Sequence, residues 1–315
     1  MPRNGAFVFT EPGDLEASVD EANIELVVTG CGPFKAKLTR ADLGQLHLLR
    51  FQEDLASVAY SALRVDLAFV AFPTRFDPPP VWGGEELRSG DIIFYGLGEH
   101  GHARTTGPSD KSFIVLKPEH LAFWSRALTG DEVVPPKFAR IFRPSLATMP
   151  RLRYLHSSAC DLVEKSPTTI AHPEVARAIE QELIHALITC LKPEAPLETR
   201  PIRSRRAAIM NRFEGVLAAH TDRPLHMREL CMAIGVSERT LRLYCADSLG
   251  MSPGRYLRLR QLRLTRAALR NPDSATTSVA EVARRYGFGE LGRFAGMYRA
   301  VYGEAPSATL RLRRH

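Results

Sequence analysis

The sequence predicts an α+β multidomain chain. A β-rich amino-terminal domain with helices leads into an all-α domain in which two helix-turn-helix units are joined by a linker helix. Three observations carry that prediction. Short apolar or alternating runs, broken by Gly and Pro, fill the first 150 residues. One helical unit appears twice in the last hundred residues. The charge is unevenly divided: residues 201–315 hold 21 arginines, no lysine and nine acids, a net of +12, whereas residues 1–200 sum to −5. A segment so cationic is built to meet a polyanion.

Within residues 1–150 the runs 24–30, 34–39, 43–51, 65–72, 91–95 and 112–116 have the alternation or the continuous apolar character of strands between turn residues. Many short strands at close spacing predict a sandwich or a barrel. Residues 151–192 change to helix. Ala176, Ile179, Leu183, Leu187 and Cys190 fall on one side of a helix over 173–191, opened by His172 and Pro173. That stripe is expected to pair with its twin in a homodimer; the alternative is that it packs against its own domain. Residues 193–206, with three prolines and no apolar period, read as a linker to a domain over 207–315.

The first copy of the repeated unit runs from Met227 through Gly235 to Leu241, Cys245 and Pro253. The second runs from Val279 through Gly287 to Phe294, Tyr298 and Pro306. The offset is 52 before the glycine and 53 after it, so one residue lengthens the second turn. Met227, Leu230 and Cys231, like Val279, Val282 and Ala283, repeat at helical spacing. A glycine then ends each first helix, where left-handed backbone is cheap. Val236 and Phe288 plug the turns, and Ser237 is placed to cap the helix that follows. The second helices bury Leu241 and Cys245, or Phe294 and Tyr298.

Their opposite faces carry Glu238, Arg239 and Arg242 in one copy, and Glu290 and Arg293 in the other. With Ser237, Thr240 and Arg299 these are the candidate DNA-contacting residues. An arginine there can make a bidentate bond to a guanine edge in the major groove. Gly292 and Gly296 leave the second helix bare, so the first unit is expected to carry more of the specificity. Between the copies, an arginine-rich helix from Pro253 to a stop at Asn271-Pro272 is predicted. At ~1.5 Å per residue it is roughly 27 Å long, near the ~34 Å turn of B-DNA. It can set two recognition helices into successive major grooves. Its Arg258, Arg260, Arg263 and Arg266 are expected at the surface or on phosphates.

The segment from about Ala207 to Arg314 resembles the DNA-binding domain of AraC/XylS-type transcription regulators. The residues from Val279 to Phe288, followed by Phe294, Tyr298, Gly303 and Pro306, resemble that family's signature segment. The resemblance implies a sequence-specific transcription regulator, more an activator than a repressor. Its partners would be promoter DNA, RNA polymerase and an unidentified small-molecule effector. It also implies a cupin-like amino-terminal barrel that senses the effector.

Other chemistry finds little support. Gly96 to Gly101 matches G-x-G-x-x-G, but a loop rather than a helix is expected after it, which removes the dinucleotide reading. His100 and His102 form an H-x-H pair, with Asp91, Asp110 and Glu119 near in sequence and no evident third ligand. They are the support for an alternative, a cupin-type metal or small-molecule enzyme fused to a DNA-binding domain. A regulator controlled by a protein partner is the other. Asp161, Glu164 and His172 do not compose a catalytic set, and no cofactor is expected. The five scattered cysteines have no metal or disulfide spacing. With no signal-like run and no long apolar stretch, a cytoplasmic protein off the membrane is expected.

Overall fold

The computed structural model describes residues 3–145, 147–192, 200–201, 205–220, 225–270 and 278–312. The amino-terminal part begins with β1 (Gly5–Phe9), a short α1 (Pro12–Glu16), β2 (Ala22–Val28), β3 (Ala36–Asp42), β4 (Leu46–Glu53), β5 (Ser57–Leu63) and β6 (Ala68–Pro73). It continues through β7 (Val81–Trp82), β8 (Glu85–Glu86), β9 (Ile92–Phe94), β10 (His100–Arg104) and β11 (Ser109–Leu116) to α2 (Pro118–Thr129) and β12 (Arg140–Phe142). The helices α3 (Met149–Lys165), α4 (Pro167–Ile170) and α5 (Pro173–Leu191) follow, then a two-residue β13 (Arg200–Pro201).

All strand pairs are antiparallel, in two sheets. One has the order β1-β3-β4-β11-β6-β9-β12-β13 and the other β2-β5-β10-β7-β8. The two-residue period of a strand divides their side chains into layers. From β6 and β11, Phe69, Ala71, Phe113 and Val115 point into the core between the sheets, beside Leu26, Phe51 and Trp82. Val70, Phe72, Ile114 and Leu116 point the other way, into a second core roofed by α2, α3 and α5. Burial on both faces is why β6 reads as a continuous apolar run.

Two expectations need correction here. The stripe on α5 is not free for a twin: Leu183 and Leu187 are 0% exposed and lie in the helix-roofed core, with Cys190 beside them. What α5 leaves to solvent is mainly polar: Glu174, Arg177, Gln181, Glu182, His185 and Thr189, with Pro173 and Ala178. A dimer would need another surface. The segment after Gly96–Gly101 is also not a loop, because His100–Arg104 forms β10 between β5 and β7. A strand there still supplies no helix N-terminus for a dinucleotide.

The helix α2 lies within the region expected to be β-rich, after the last of the runs read as strands. Pro118 opens it and Gly130, at φ +78°, closes it in the left-handed region. Most of the expected linker lies outside the described residues, except that Arg200–Pro201 pairs with β12 and that the next helix already begins at Arg205. No helix among the described residues is long and apolar enough to cross a membrane.

Candidate DNA-binding surface

The carboxy-terminal helices are α6 (Arg205–Ala219), α7 (Met227–Ile234), α8 (Glu238–Leu249), α9 (Pro253–Arg270), α10 (Val279–Arg285), α11 (Leu291–Tyr302) and α12 (Pro306–Leu312). The turn chemistry of both units follows the sequence. Gly235 ends α7 at φ +75°, and the Thr240 amide donates to the Ser237 hydroxyl at 3.2 Å to start α8. In the second unit the Glu281 amide donates to Ser278 at 3.2 Å, and the Ser278 amide returns a bond to the Glu281 carboxylate at 2.8 Å. Gly287 turns at φ +86°, and Phe288 plugs the turn with its ring 4.8 Å from that of Phe294. The Asn271-Pro272 stop lies outside the described residues.

The candidate contact residues lie on or just before α8 and α11, exposed or half-buried. On α8, Glu238, Arg239 and Arg242 are exposed, opposite the buried Leu241 and Cys245. Ser237 and Thr240 hydrogen-bond to each other at the front of that helix, and Arg242 reaches back to Glu238 at 2.6 Å. On α11, Glu290, Arg293 and Arg299 are exposed. Arg299 lies in the last turn, roughly 120° round the helix from Arg293, so one groove edge cannot take both. An added Cβ at Gly292 or Gly296 would meet nothing within 4 Å, which leaves this face as bare as expected.

The arginines of α9 depart from expectation. Arg260, Arg263, Arg266 and Arg270 share one helical face, and that face is turned onto the amino-terminal domain rather than outward. Arg260 grips Glu25 with two nitrogens at 3.1 and 3.3 Å. Arg263 bridges Glu16 and Glu25, both at 2.8 Å. Arg266 donates to Glu11 at 2.7 Å and lies 4.5 Å from the Tyr302 ring, and Arg270 reaches Asp14 at 3.2 Å. On α6, Arg206 joins Glu85 at 3.0 Å. Three of the four arginines placed on the surface or on phosphates are therefore held inside the protein. Only Arg258 stays exposed, over the Phe288 ring at 5.4 Å.

This row of acids was missed, although residues 1–25 carry six acids against one base. Burial and opposing charge compete in it. Burial raises the Glu16 carboxyl, and Arg263 only partly brings it back, so it stays above its usual range. For Glu25, burial also raises it, but Arg260 and Arg263 together outweigh that and hold it below.

The first unit is joined to the sheet by more than charge. Val27 and Val58 on the outer face of the five-stranded sheet enter one core with Ile209, Phe213, Leu230, Leu241 and Tyr256. At its edge His102 Nε2 lies 2.7 Å from Glu214 Oε1, with both side chains 2% exposed. His100 instead meets the Tyr60 hydroxyl at 3.0 Å. Among the described residues no three groups of metal-ligating type come together.

Residues 230–312 match a family model described as a helix-turn-helix domain. Over 147 residues the chain is 31% identical to the "Probable thc operon regulatory protein" of Rhodococcus erythropolis, an alignment covering 46% of this chain and 44% of that protein. Over 93 residues it is 40% identical to "XylDLEGF operon transcriptional activator 2" of Pseudomonas putida, covering 30% of this chain and 59% of that protein. Among solved structures it is similar to the AraC-like transcriptional activator CuxR, at 16% identity and a TM-score of 0.42 over 84% of this chain and 95% of that one. The chain thus spans about half the length of the curated relatives it matches. Its carboxy-terminal part is a helix-turn-helix domain, and that domain belongs to the AraC/XylS type.

Proposed function

We propose that the protein is a sequence-specific DNA-binding transcription regulator, with α8 as its principal reading helix and the amino-terminal domain as its control element. The carrying observation is the exposed front of α8, where Arg239 and Arg242 stand opposite the buried Leu241 and Cys245 on a helix whose start is fixed by the Ser237 cap. Arginines so placed are suited to guanine edges. Arg284, Arg285, Arg293 and Arg299 supply exposed charge for phosphates at the second unit.

The activator reading draws on the names of the similar proteins and would make RNA polymerase a partner. The non-enzymatic reading is supported by His102 and His100, whose nitrogens are engaged by Glu214 and Tyr60. A small-molecule effector in the barrel interior meets a size limit. The interior cavity, lined by Leu26, Phe51, Trp82, Tyr95 and Phe113, is about 70 Å³. An engineered apolar cavity that admits benzene is ~150 Å³. An effector of ordinary size must therefore widen this core or bind elsewhere.

The test is selection of duplexes from a randomised pool by the full-length chain, followed by titration at several salt concentrations. The reading expects a consensus sequence and an affinity that falls steeply with salt, by about 0.9 log units per log unit of salt for each phosphate contacted. A pool that yields no consensus would sink it.

A further inference from the structure

A second cavity lies at the ends of β4, β6 and β11, mostly on the helix-roofed face of the eight-stranded sheet, with Glu53 shared with the interior cavity. It is about 300 Å³ and is framed also by Ser157 of α3. That volume is at the lower end of the range of small-molecule sites, ~300–1,000 Å³, and several times that of the interior cavity. Its lining is polar where the same face of these strands, one or two residues further on, is apolar: Leu48, Val70, Phe72 and Ile114 give way to Arg50, Thr74, Ser112 and Asp110.

Five of the eleven buried side-chain polar atoms that lack a hydrogen-bond partner among the described residues line this one cavity. They are Arg50 Nε, Thr74 Oγ1, Ser109 Oγ, Asp110 Oδ1 and Ser112 Oγ. Ser112 is 0% exposed and Arg50 and Ser109 are each 8% exposed, so bulk water does not satisfy them cheaply. Together they offer one donor from a guanidinium, one carboxylate acceptor and three hydroxyls that serve either way.

The charges around the cavity decide the class of occupant. The terminal nitrogens of Arg50 are already held by Asp161 at 2.8 Å and Glu164 at 2.6 Å, which neutralises it. Asp110, fixed by Gln52 at 2.9 Å, and Asp54 would repel an anion, while Glu53 is already paired with Lys111 at 2.8 Å; Arg75 at the rim offsets one of the free carboxylates against a cation. A neutral molecule bearing several hydroxyls matches the set, because each hydroxyl can donate to Asp110 while accepting from Arg50 or a serine. We propose that this cavity binds a small, neutral, polyhydroxylated molecule, at a site outside the space between the two sheets.

The test is calorimetric titration of the full-length protein, without DNA, with D-ribose, D-glucose, D-sorbitol and myo-inositol, and with inorganic phosphate as the anionic control. At least one of the four polyols is expected to bind one-to-one with Kd below about 1 mM. Ser112→Val should weaken that binding about tenfold or more without lowering the thermal midpoint of the unliganded protein, because the hydroxyl it removes has no partner. Asp110→Asn should weaken it similarly, and Ser61→Val, in the interior cavity, should leave it unchanged. The proposal is overturned if none of the four binds saturably, if phosphate binds in their place, or if binding ignores Ser112 and Asp110 or follows Ser61.

Discussion

The first helix-turn-helix unit is built into the amino-terminal domain, whereas the second keeps a core of its own. In the first, Leu230, Leu241 and Tyr256 share a core with Val27 and Val58 of the sheet, and Glu214 holds His102 at 2.7 Å. In the second, Val282, Phe288, Phe294 and Tyr298 close over Leu262 and Leu269 of α9, and the links to the amino-terminal domain run through the arginines of α9. The units also differ in what they present: Arg239 and Arg242 on one recognition helix, glycines flanking Arg293 on the other. On the proposed function, reading and control would therefore converge on the same unit. A change in the amino-terminal domain reaches the first recognition helix through packed side chains and the second through ion pairs.

The comparison can be broken hardest at its buried joint. Glu214→Ala leaves His102 buried without its partner and should cost about 3 kcal/mol in chemical denaturation. Hydrogen exchange should show the sheet and the first unit loosening together while α10 and α11 keep their protection. A loss below about 1 kcal/mol would mean that the joint does not hold the first unit.

Next in size is the row of ion pairs. Arg263→Ala strips Glu16 and Glu25 of a shared partner and should lower stability by about 2 kcal/mol. Because Arg263 faces the protein, the salt dependence of DNA binding should not change; a shallower salt slope would return Arg263 to the phosphates.

Acid offers a third probe, within the amino-terminal domain. Burial alone would raise the Glu164 carboxyl, but hydrogen bonds from Lys37, Thr39 and Arg50 overcome it and bring it down to about 2 from 4.5. A depressed carboxyl contributes stability above its unfolded value and loses it as pH falls through the folded one. Urea midpoints should therefore decline between about pH 4.5 and pH 2, and Glu164→Gln should flatten that part of the profile. An unchanged profile in the variant would remove Glu164 from the account. The smallest effect belongs to α11, where Gly292→Ala or Gly296→Ala meets no neighbour and should stabilise the second unit by up to about 1 kcal/mol. If either alanine weakens DNA binding more than a few-fold, a backbone approach there has been overlooked.

Much of the helical domain was legible because its signals are local. Leu230, Leu241, Cys245, Phe294 and Tyr298 recur at helical spacing, and Gly235 and Ser237 mark the ends, so seven or eight residues at a time suffice. The partners of α9 and α5 were not legible in the same way. An arginine's sequence context near 263 says nothing about a glutamate at 16, and an apolar stripe looks alike whether it meets a twin or its own sheet. The acids between Glu11 and Glu25 were the available clue, as a cluster opposite in sign to the carboxy-terminal domain. The His102–Glu214 bond spans 112 residues and leaves no local trace. The polar cavity leaves a faint one, in the break of the apolar pattern at Arg50, Thr74 and Ser112.

The most direct measurement compares Arg242→Ala, Arg293→Ala and Arg263→Ala, each titrated at fixed salt against the selected duplex and a scrambled one. Arg242→Ala is expected to lose about 1–3 kcal/mol on the selected duplex, to lose much less on the scrambled one, and to relax preference at one base pair. Arg293→Ala should weaken both duplexes about equally, as a phosphate contact does, and Arg263→Ala should change base preference at neither. Equal losses on both duplexes for Arg242→Ala, or a changed base preference in Arg293→Ala alone, would contradict the assignment of sequence reading to the first unit.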